Sequence, residues 1–569
     1  MRNPIEIIQD CFDALSKEEL IQIVDKISTS IENYIQCWII STEIPTSSGV
    51  KDIDLHIGFT ENFPYVLPDV YFLDTTYDYF PHIGYSDRKL CLWEDNVTYD
   101  DTEYISLTRE CVKKAKRLIE ASVNKENCNE FLDEIWNHWL YSFNGEPSPE
   151  PTALLYGTMP QNSMEIKVWS YNETNSELRI THRLLITIND VDWQFEKYIK
   201  SKHGFTESTA LFLSSVKPPV MPPYSVTPAN LLTWIENEND IKLFKSILNR
   251  DREVMVVFNL QDCNYIGGCI IPKQRSKRNG FRPLSAFDEL VKFEKKNIPL
   301  ERLIGKVYSR KRMEERASTL PFKDFKFAVA GLGSVGSNLC LFLDSMMPEG
   351  YVLIDDDILQ PENLGRHCLG VRYLYQKKAK AMEVFMRDKF PDLAIKVFTS
   401  NLIKVSISEL QDCSALFLCT GNAVVEKAVL HRMLSLNNLP IFMLWLEPFA
   451  LAGHMVYINP KDMPSNINLN EGSQLLYKYN LIKEDEYKKK SQSQFIKKEA
   501  GCNGSYAQYS NNDVFLFLSA LYPIINRLLH NPEKSKCYRW VGNIEFAKTK
   551  KIELKEPHLC YGYVSELPL

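Results

Sequence analysis

The stretch from Lys326 to Lys378 constrains this chain more than any other. It opens with the apolar run Phe327-Ala328-Val329-Ala330, then turns through Gly331-Leu332-Gly333-Ser334-Val335-Gly336. An apolar segment follows (Leu339, Leu341, Phe342, Leu343), and the chain returns as Tyr351-Val352-Leu353-Ile354-Asp355. A strand, a G-x-G-x-x-G turn, a helix and a second strand let glycine backbone approach a phosphate and aim a helix N-terminus at it. An acidic residue about twenty positions past such a turn suits a ribose hydroxyl, and Asp355 is so placed. Alone, this unit fits a dinucleotide-dependent dehydrogenase.

The residues beyond it point elsewhere. Asp355-Asp356-Asp357 leads to Asn363-Leu364-Gly365-Arg366, and Lys378 lies twelve residues past Arg366. Hydride transfer has no need of Asp, Asn, Arg and Lys converging after the second strand. A carboxylate attacking the α-phosphate of ATP does, because two anions must meet and cations must hold the charge that develops. The segment resembles the adenylation domain of the ubiquitin-activating superfamily, which includes the bacterial thiamine and molybdopterin adenylators of the ThiF/MoeB type. That signature is G-x-G-x-x-G, D-x-D, N-L-x-R, then a lysine before a helix. The resemblance implies ATP and Mg2+ as cofactors. It places Gly331, Gly333, Gly336 and Asp357 in the nucleotide site, Asp355 on the ribose, and Asn363, Arg366 and Lys378 on the phosphates. Lys377 and Lys380 are the neighbours that could stand in for Lys378.

Two further positions follow from the same resemblance. After the strand Ala415–Leu418 the family carries T-D-N, whose aspartate helps bind magnesium; this chain reads Thr420-Gly421-Asn422, which leaves the metal ligand unidentified. Arg310, twenty-one residues before Gly331, stands where the family's arginine reaches the ATP of a partner subunit, with Arg312 close behind. An exposed i,i+4 charge pair with Glu314 is the plainer account of Arg310.

Residues 1–145 read as an α+β unit. A helical stretch from Ile5 to Ile31 precedes strand-like runs at Cys37–Ile44 and Ile53–Phe59, then Phe63-Pro64 through Phe72. Pro81-His82-Ile83-Gly84 approaches Leu90-Cys91-Leu92-Trp93, and the helical stretches Tyr104–Val123 and Cys128–Trp139 close the unit. This order resembles a ubiquitin-conjugating domain, which makes Cys91 the transthiolation cysteine. The family's H-P-N asparagine, which supports the oxyanion, is absent, and His82 or a backbone N–H would take its place. The alternative is that Cys91 is a small buried hydrophobe.

Residues 146–300 are expected to form a mixed α/β middle domain. Gly145-Glu-Pro-Ser-Pro-Glu-Pro151 is a linker, since three prolines block helix and ladder alike. Strand-like runs follow at Met164–Tyr171, Leu178–Asn189, Thr209–Ser215, Glu253–Asn259 and Tyr265–Pro272, with a helical stretch at Ile241–Leu248. Residues 301–569 are assigned to the Rossmann-like adenylation domain, which makes the whole an α/β protein. Its later part holds strands near Leu439–Leu446 and Gly453–Ile458, a lysine-rich crossover over 461–500, and Cys502 just before a helix over Asn512–Leu529. A helix start can lower a thiol pKa, and activating enzymes carry their thioester cysteine in such a crossover. The resemblance therefore implies Cys502, with Cys560 as the rival; Cys413 and Cys419 flank a buried strand.

At 569 residues there is ample surface to bury, and a net charge of −7 excludes a basic nucleic-acid footprint. No run of eighteen apolar residues and no secretion signal is present, and the fourteen cysteines include no C-x-x-C pair. These features lead us to expect reduced thiols, a cytoplasmic location and no membrane partner. The order conjugating-like then activating-like resembles the fusions of bacterial anti-phage CBASS operons. That family implies a homodimer through the adenylation domain, a CD-NTase C-terminus as the activated carboxylate and target amines as acceptors. A separate ubiquitin-like protein as substrate, or a non-catalytic nucleotide-binding scaffold, are the other readings.

Overall fold

The computed structural model describes the chain except for residues 1–2, 19–21, 28–33, 77–80, 85–86, 95–96, 134–138, 140–151, 158, 175–178, 188–199, 201–203, 205, 218–225, 252, 261–265, 273–284, 293–296, 318–322, 391–392, 434–438, 463–477, 490–494 and 499–504. Two compact units emerge, Met1–Asn189 with Lys202–Val307, and Asp190–Ser201 with Tyr308–Leu569.

In the first unit, helix α1 (Pro4–Leu15) is capped by Asn3, whose side chain accepts from the Ile5 N–H, and carries Pro4 at its first position. An antiparallel meander β1 (Gln22–Ile27), β2 (Gln36–Thr46), β3 (Gly49–Phe59) and β4 (Asp69–Tyr71) follows in that spatial order. The helical stretch expected over Ile5–Ile31 therefore stops halfway. Ile23, Val24 and Ile27 are β-branched, and the segment pairs with β2, Ile23 opposite Ile40 and Ile27 opposite Cys37, with Val24 at a break in the register. Helix α2 (Tyr104–Val123) lies as expected and packs with α1 over Trp38, Leu55, Ile57 and Phe59. Of the helical stretch expected over Cys128–Trp139, α3 (Glu130–Asp133) and the helical Trp139 are described, and residues 134–138 between them lie outside the described residues.

Seven strands then close a barrel. They are β5 (Thr152–Tyr156), β6 (Met164–Thr174), β7 (Arg179–Ile186), β8 (Thr206–Val216), β9 (Val254–Leu260), β10 (Ile266–Ile271) and β11 (Glu301–Tyr308). Around the barrel they run β10-β11-β5-β7-β6-β8-β9, with β5–β7 and β8–β9 parallel. Alternation is strict: Ala210, Phe212 and Val257 join the inner cluster, whereas Leu211, Leu213, Val256 and Phe258 face a second cluster. Helices α4 (Pro228–Trp234), α5 (Glu238–Asp251) and α6 (Ala286–Lys292) supply much of that outer cluster. Trp139 belongs there too. Its indole N–H donates to the Leu303 carbonyl at 3.0 Å and its ring meets Trp234 and Phe258, so this end of the first expected domain is part of the barrel. Strand β11 likewise carries the barrel past residue 300, where the middle domain was expected to end.

The second unit begins with α7 (Arg310–Ala317). Parallel strands β12 (Lys326–Ala330), β13 (Gly350–Ile354), β14 (Ala394–Phe398), β15 (Ala415–Leu418) and β16 (Ile441–Leu446) lie in the order β14-β13-β12-β15-β16. This is the doubly wound arrangement, with its switch point between β12 and β15. Antiparallel strands β17 (Ala452–Ile458), β20 (Lys536–Val541) and β21 (Val564–Pro568) extend the sheet. Helices α8 (Ser334–Leu343), α9 (Lys378–Lys389) and α12 (Asn511–His530) cover one face, and α10 (Ala423–Met433) the other. The short α11 (Glu484–Lys489), the ribbon β18 (Ile496–Lys498) with β19 (Ser505–Ala507), and α13 (Glu545–Thr549) complete the unit. Helix α12 continues through Pro523.

Candidate active site

The site of the second unit forms where β12 ends. Gly331 has φ +84°, and a Cβ there would meet the backbone of Cys419 and Thr420 at 2.7 Å. A Cβ on Gly336 would lie 1.9 Å from the Gly331 carbonyl oxygen, whereas one on Gly333 would touch nothing. The outer glycines are thus required by packing, and the middle one leaves the side facing a ligand open.

Asp355 lies beneath this turn. Its two carboxylate oxygens accept from the Leu332 N–H at 2.6 Å and the Asp357 N–H at 2.8 Å. Burial raises its pKa, against the opposing pull of Lys378. His367 fixes the turn from the other side. Its Nδ1 accepts from the Leu369 N–H at 3.1 Å, so Nε2 carries the proton and donates to the Leu332 carbonyl at 2.7 Å. Burial pushes its pKa down to about 4, which keeps the ring neutral.

An open cavity of ≈ 1140 Å³ lies beyond β13; Gly331, Gly333, Gly336 and Asp355 are not among its lining, and the turn meets it through Ser334, whose hydroxyl is 2.8 Å from that of the lining Tyr509. Asp357, Asn363, Arg366 and Lys378 line one end of it. Lys378, the first residue of α9, is nearly buried and sets its Nζ 2.9 Å from Asp357 Oδ2. Arg366 donates from Nη1 to the Ala507 carbonyl at 2.7 Å and lies over the Tyr509 ring, 4.7 Å from its centre. Asn363 Oδ1 accepts from the Gln360 N–H at 3.0 Å, which shapes the loop at the cavity's edge.

The rest of the cavity wall comes from parts of the chain the sequence reading did not single out. Phe449, Ala507–Ser510, Asp513, Phe546 and Lys550 line it. Phe449 and Ala450 both adopt left-handed backbone, with φ +60° and +49°, an arrangement costly for residues with a side chain. It is held from below by Glu447, whose buried carboxylate accepts from His454 Nε2 at 2.7 Å and from the N–H groups of Leu481 and Ile482 at 2.7 and 3.0 Å. Neither spacing nor composition announces these residues, because they converge from four separate segments.

Other expected positions fall outside the cavity. Arg310 sits 3.5 Å from Asp324. Gly421, at φ +59°, presents no side chain where a metal-binding aspartate was expected. The nearby buried carboxylate of Glu426 instead accepts from the Thr420 hydroxyl at 2.8 Å and from the N–H groups of Gly421 and Asn422. Asp355, Asp356 and Asp357 have carboxylate oxygens within 4.8 Å of one another. Cys502 lies outside the described residues; Ala507, five positions on, lines the cavity.

In the first unit, Cys91 is exposed, which removes the reading of a buried hydrophobe. It sits on a short two-armed ladder. Ile83 bridges Leu90, the Gly84 N–H donates to the Lys89 carbonyl at 2.6 Å, and the Cys91 N–H donates to the His82 carbonyl at 2.8 Å. His82 has φ +62°, and its Nε2 is 3.2 Å from Glu130 Oε2. Among the described cysteines only Cys91 and Cys560 are exposed. Burial pushes others upward, Cys11 and Cys111 to about 11.

The ThiF family model matches residues 308–493, and the model of prokaryotic E2 family B matches residues 19–143. Together they support a fusion of an E2-like unit with an E1-like adenylation unit, and hence an enzyme of that E1/E2-like type. Among curated proteins nothing matches the chain. Among solved structures it is similar to PaaA, at 15% identity over 40% of this chain and 62% of that one, TM-score 0.29. It is also similar to E. coli MccB with succinimide, at 10% identity over 45% and 65%, TM-score 0.28. With AMPCPP and MccA bound, E. coli MccB matches at 10% identity over 60% and 82%, TM-score 0.29. The chain spans less than two thirds of the length of PaaA and of the succinimide-bound MccB. Among the described residues no helix is long and apolar enough to cross a membrane.

Proposed function

We propose that this chain uses ATP to activate the C-terminal carboxylate of a protein and ligates it to an amine through two thioesters. The observation that carries the proposal is the cavity beyond the end of β13, where Asp357, Asn363, Arg366 and Lys378 meet a wall that begins five residues after Cys502. A pocket lined by two such cations suits a triphosphate, and its volume leaves room for an extended peptide tail. Asp357 and Asp356 offer exposed carboxylates that fit magnesium, which takes one or two carboxylates and completes its shell with substrate phosphates. Bound there, the ion would neutralise phosphate charge as pyrophosphate leaves.

In this reading the tail carboxylate attacks the α-phosphate, while Arg366 and Lys378 hold the charge that builds up on phosphate oxygens. Each must first exchange its present partner, Ala507 for Arg366 and Asp357 for Lys378. The Cys502 thiolate then displaces AMP from the acyl adenylate, and the Cys91 thiolate takes the acyl group from Cys502. Attack by a target amine releases Cys91. Two covalent stages divide one difficult condensation into easier steps. Arg310 would act on the nucleotide of a second copy in a homodimer. The CD-NTase C-terminus of a CBASS system is the substrate we favour, with a cytoplasmic bacterial setting, on the resemblance of domain order.

The test is pyrophosphate exchange together with a thiol-sensitive adduct, using the purified chain, ATP, magnesium and a CD-NTase carrying its native tail. Exchange and an adduct lost on adding reductant support the proposal. Absence of both with this tail and with a ubiquitin-like protein overturns it.

A further inference from the structure

The ladder at Cys91 carries one inference more, and it rests on the reading of Cys91 as an acyl carrier. Ile83 is paired with Leu90, and the Cys91 N–H is bonded to the His82 carbonyl at 2.8 Å. His82 and Cys91 are therefore joined through their backbones, one residue beyond the Ile83–Leu90 bridge on either arm. His82 holds this place in left-handed backbone, φ +62°. A histidine in that conformation is strained, and such strain gathers at functional sites. Its ring is gripped at Nε2 by Glu130 Oε2, 3.2 Å away, from the first residue of α3. Both side chains are partly open to solvent, as a group that meets an incoming substrate must be. A thiol carrier, an imidazole on the residue bonded to it and a carboxylate orienting that imidazole form a set suited to acyl transfer with a proton to collect.

We propose that His82 is the catalytic base that takes the proton of the amine attacking the Cys91 thioester, with Glu130 as its positioning residue. The amine nitrogen lone pair forms the C–N bond at the thioester carbonyl carbon, and the carbonyl electron pair moves onto oxygen. When that oxyanion collapses, the C–S bond breaks and its electron pair leaves on Cys91 Sγ as thiolate. The proton lost by the nitrogen goes to His82 Nδ1, while the Nε2–H faces the Glu130 carboxylate. The products are an amide, a thiolate and an imidazolium–carboxylate pair, which returns its proton to solvent. A protein without the H-P-N asparagine would thus ease the same step by proton removal.

The test bypasses adenylation, so that its failure and failure of the proposed function are separate results. In the full chain carrying Cys502→Ala and Cys560→Ala, Cys91 is acetylated with phenyl thioacetate, and transfer to free lysine is followed by mass spectrometry. His82→Ala is expected to slow transfer about 100-fold, the lower range for loss of a general base. Added imidazole is expected to restore part of the loss. His82→Gln, which keeps the side chain's bulk, is expected to be slowed to the same degree. Glu130→Gln is expected to slow transfer in the parent and to add nothing in the His82→Ala background, as for residues that act as a unit. Transfer at the parental rate in either His82 variant, or a deficit that imidazole leaves unchanged, overturns the assignment.

Discussion

Lys378 and Arg366 each meet a protein group in the cavity that a triphosphate would replace, so their substitution separates binding from fold. Lys378→Ala should abolish pyrophosphate exchange while leaving thermal unfolding within about 2–4 °C of the parent, since only one exposed partner, Asp357, loses its ion. Exchange at the parental level would move the role to Lys377 or Lys380. Two buried groups of the same unit set opposing pH dependences. Burial raises Asp344 to about 6 from 3.8, with Lys389 and Tyr351 pulling the other way. The folded protein holds that proton more tightly than the unfolded chain, and stability falls as pH rises across the interval. His367, lowered from 6.5 to about 4, works in reverse, and stability falls as pH drops through its interval. Asp344→Asn should therefore stabilise the chain at pH 7 by on the order of 2 kcal/mol. It should also leave a steeper loss on acidification, because the His367 contribution is no longer offset. Urea midpoints between pH 4 and 8 measure both.

Elements show where the sequence was readable. The unit from β12 to α9 was legible because a parallel strand buried on both faces, a glycine turn and a helix each leave a local mark, and Asp355, Asn363, Arg366 and Lys378 sit at fixed distances along it. Strand β1 was not, since Ile21, Ile23 and Val24 continue an apolar pattern that fits a helix until β2 is known to lie alongside. The far wall of the cavity was hidden for a different reason. Phe449, Tyr509, Phe546 and Lys550 are brought together only by the antiparallel extension of the sheet and by Glu447. The start of α12 contributes to that wall through a reciprocal cap, in which the Asp513 N–H donates to Ser510 Oγ and the Ser510 N–H to Asp513 Oδ2. Ser510→Ala should cost about 1 kcal/mol of stability. It should also raise the KM for the protein tail more than that for ATP, as measured by pyrophosphate exchange at varied concentrations of each. An equal rise in both would mean that the cap serves only the helix.

At the scale of the whole chain, two thiols on one polypeptide raise each other's effective concentration. Cys502→Ala should abolish the adducts on both thiols, whereas Cys91→Ala should leave a trapped one on Cys502; non-reducing gels after ATP addition distinguish the orders. Domain limits matter as well. Because Trp139 is packed into the barrel, a fragment of residues 134–307 should fold, and one of residues 146–307, which loses that indole, should be weaker by about 3–5 kcal/mol or fail to fold. Equal denaturant midpoints would show Trp139 to be a passenger. The barrel's last strand has a consequence for synthesis. Strand β11 lies between β10 and β5, so the ring stays open, with two unpaired edges, until residue 308 has left the ribosome. The nascent chain therefore carries an adhesive, incomplete sheet through some 150 residues of translation, and slow codons or a chaperone stop anywhere in that interval would decide how much protein is lost to clumping.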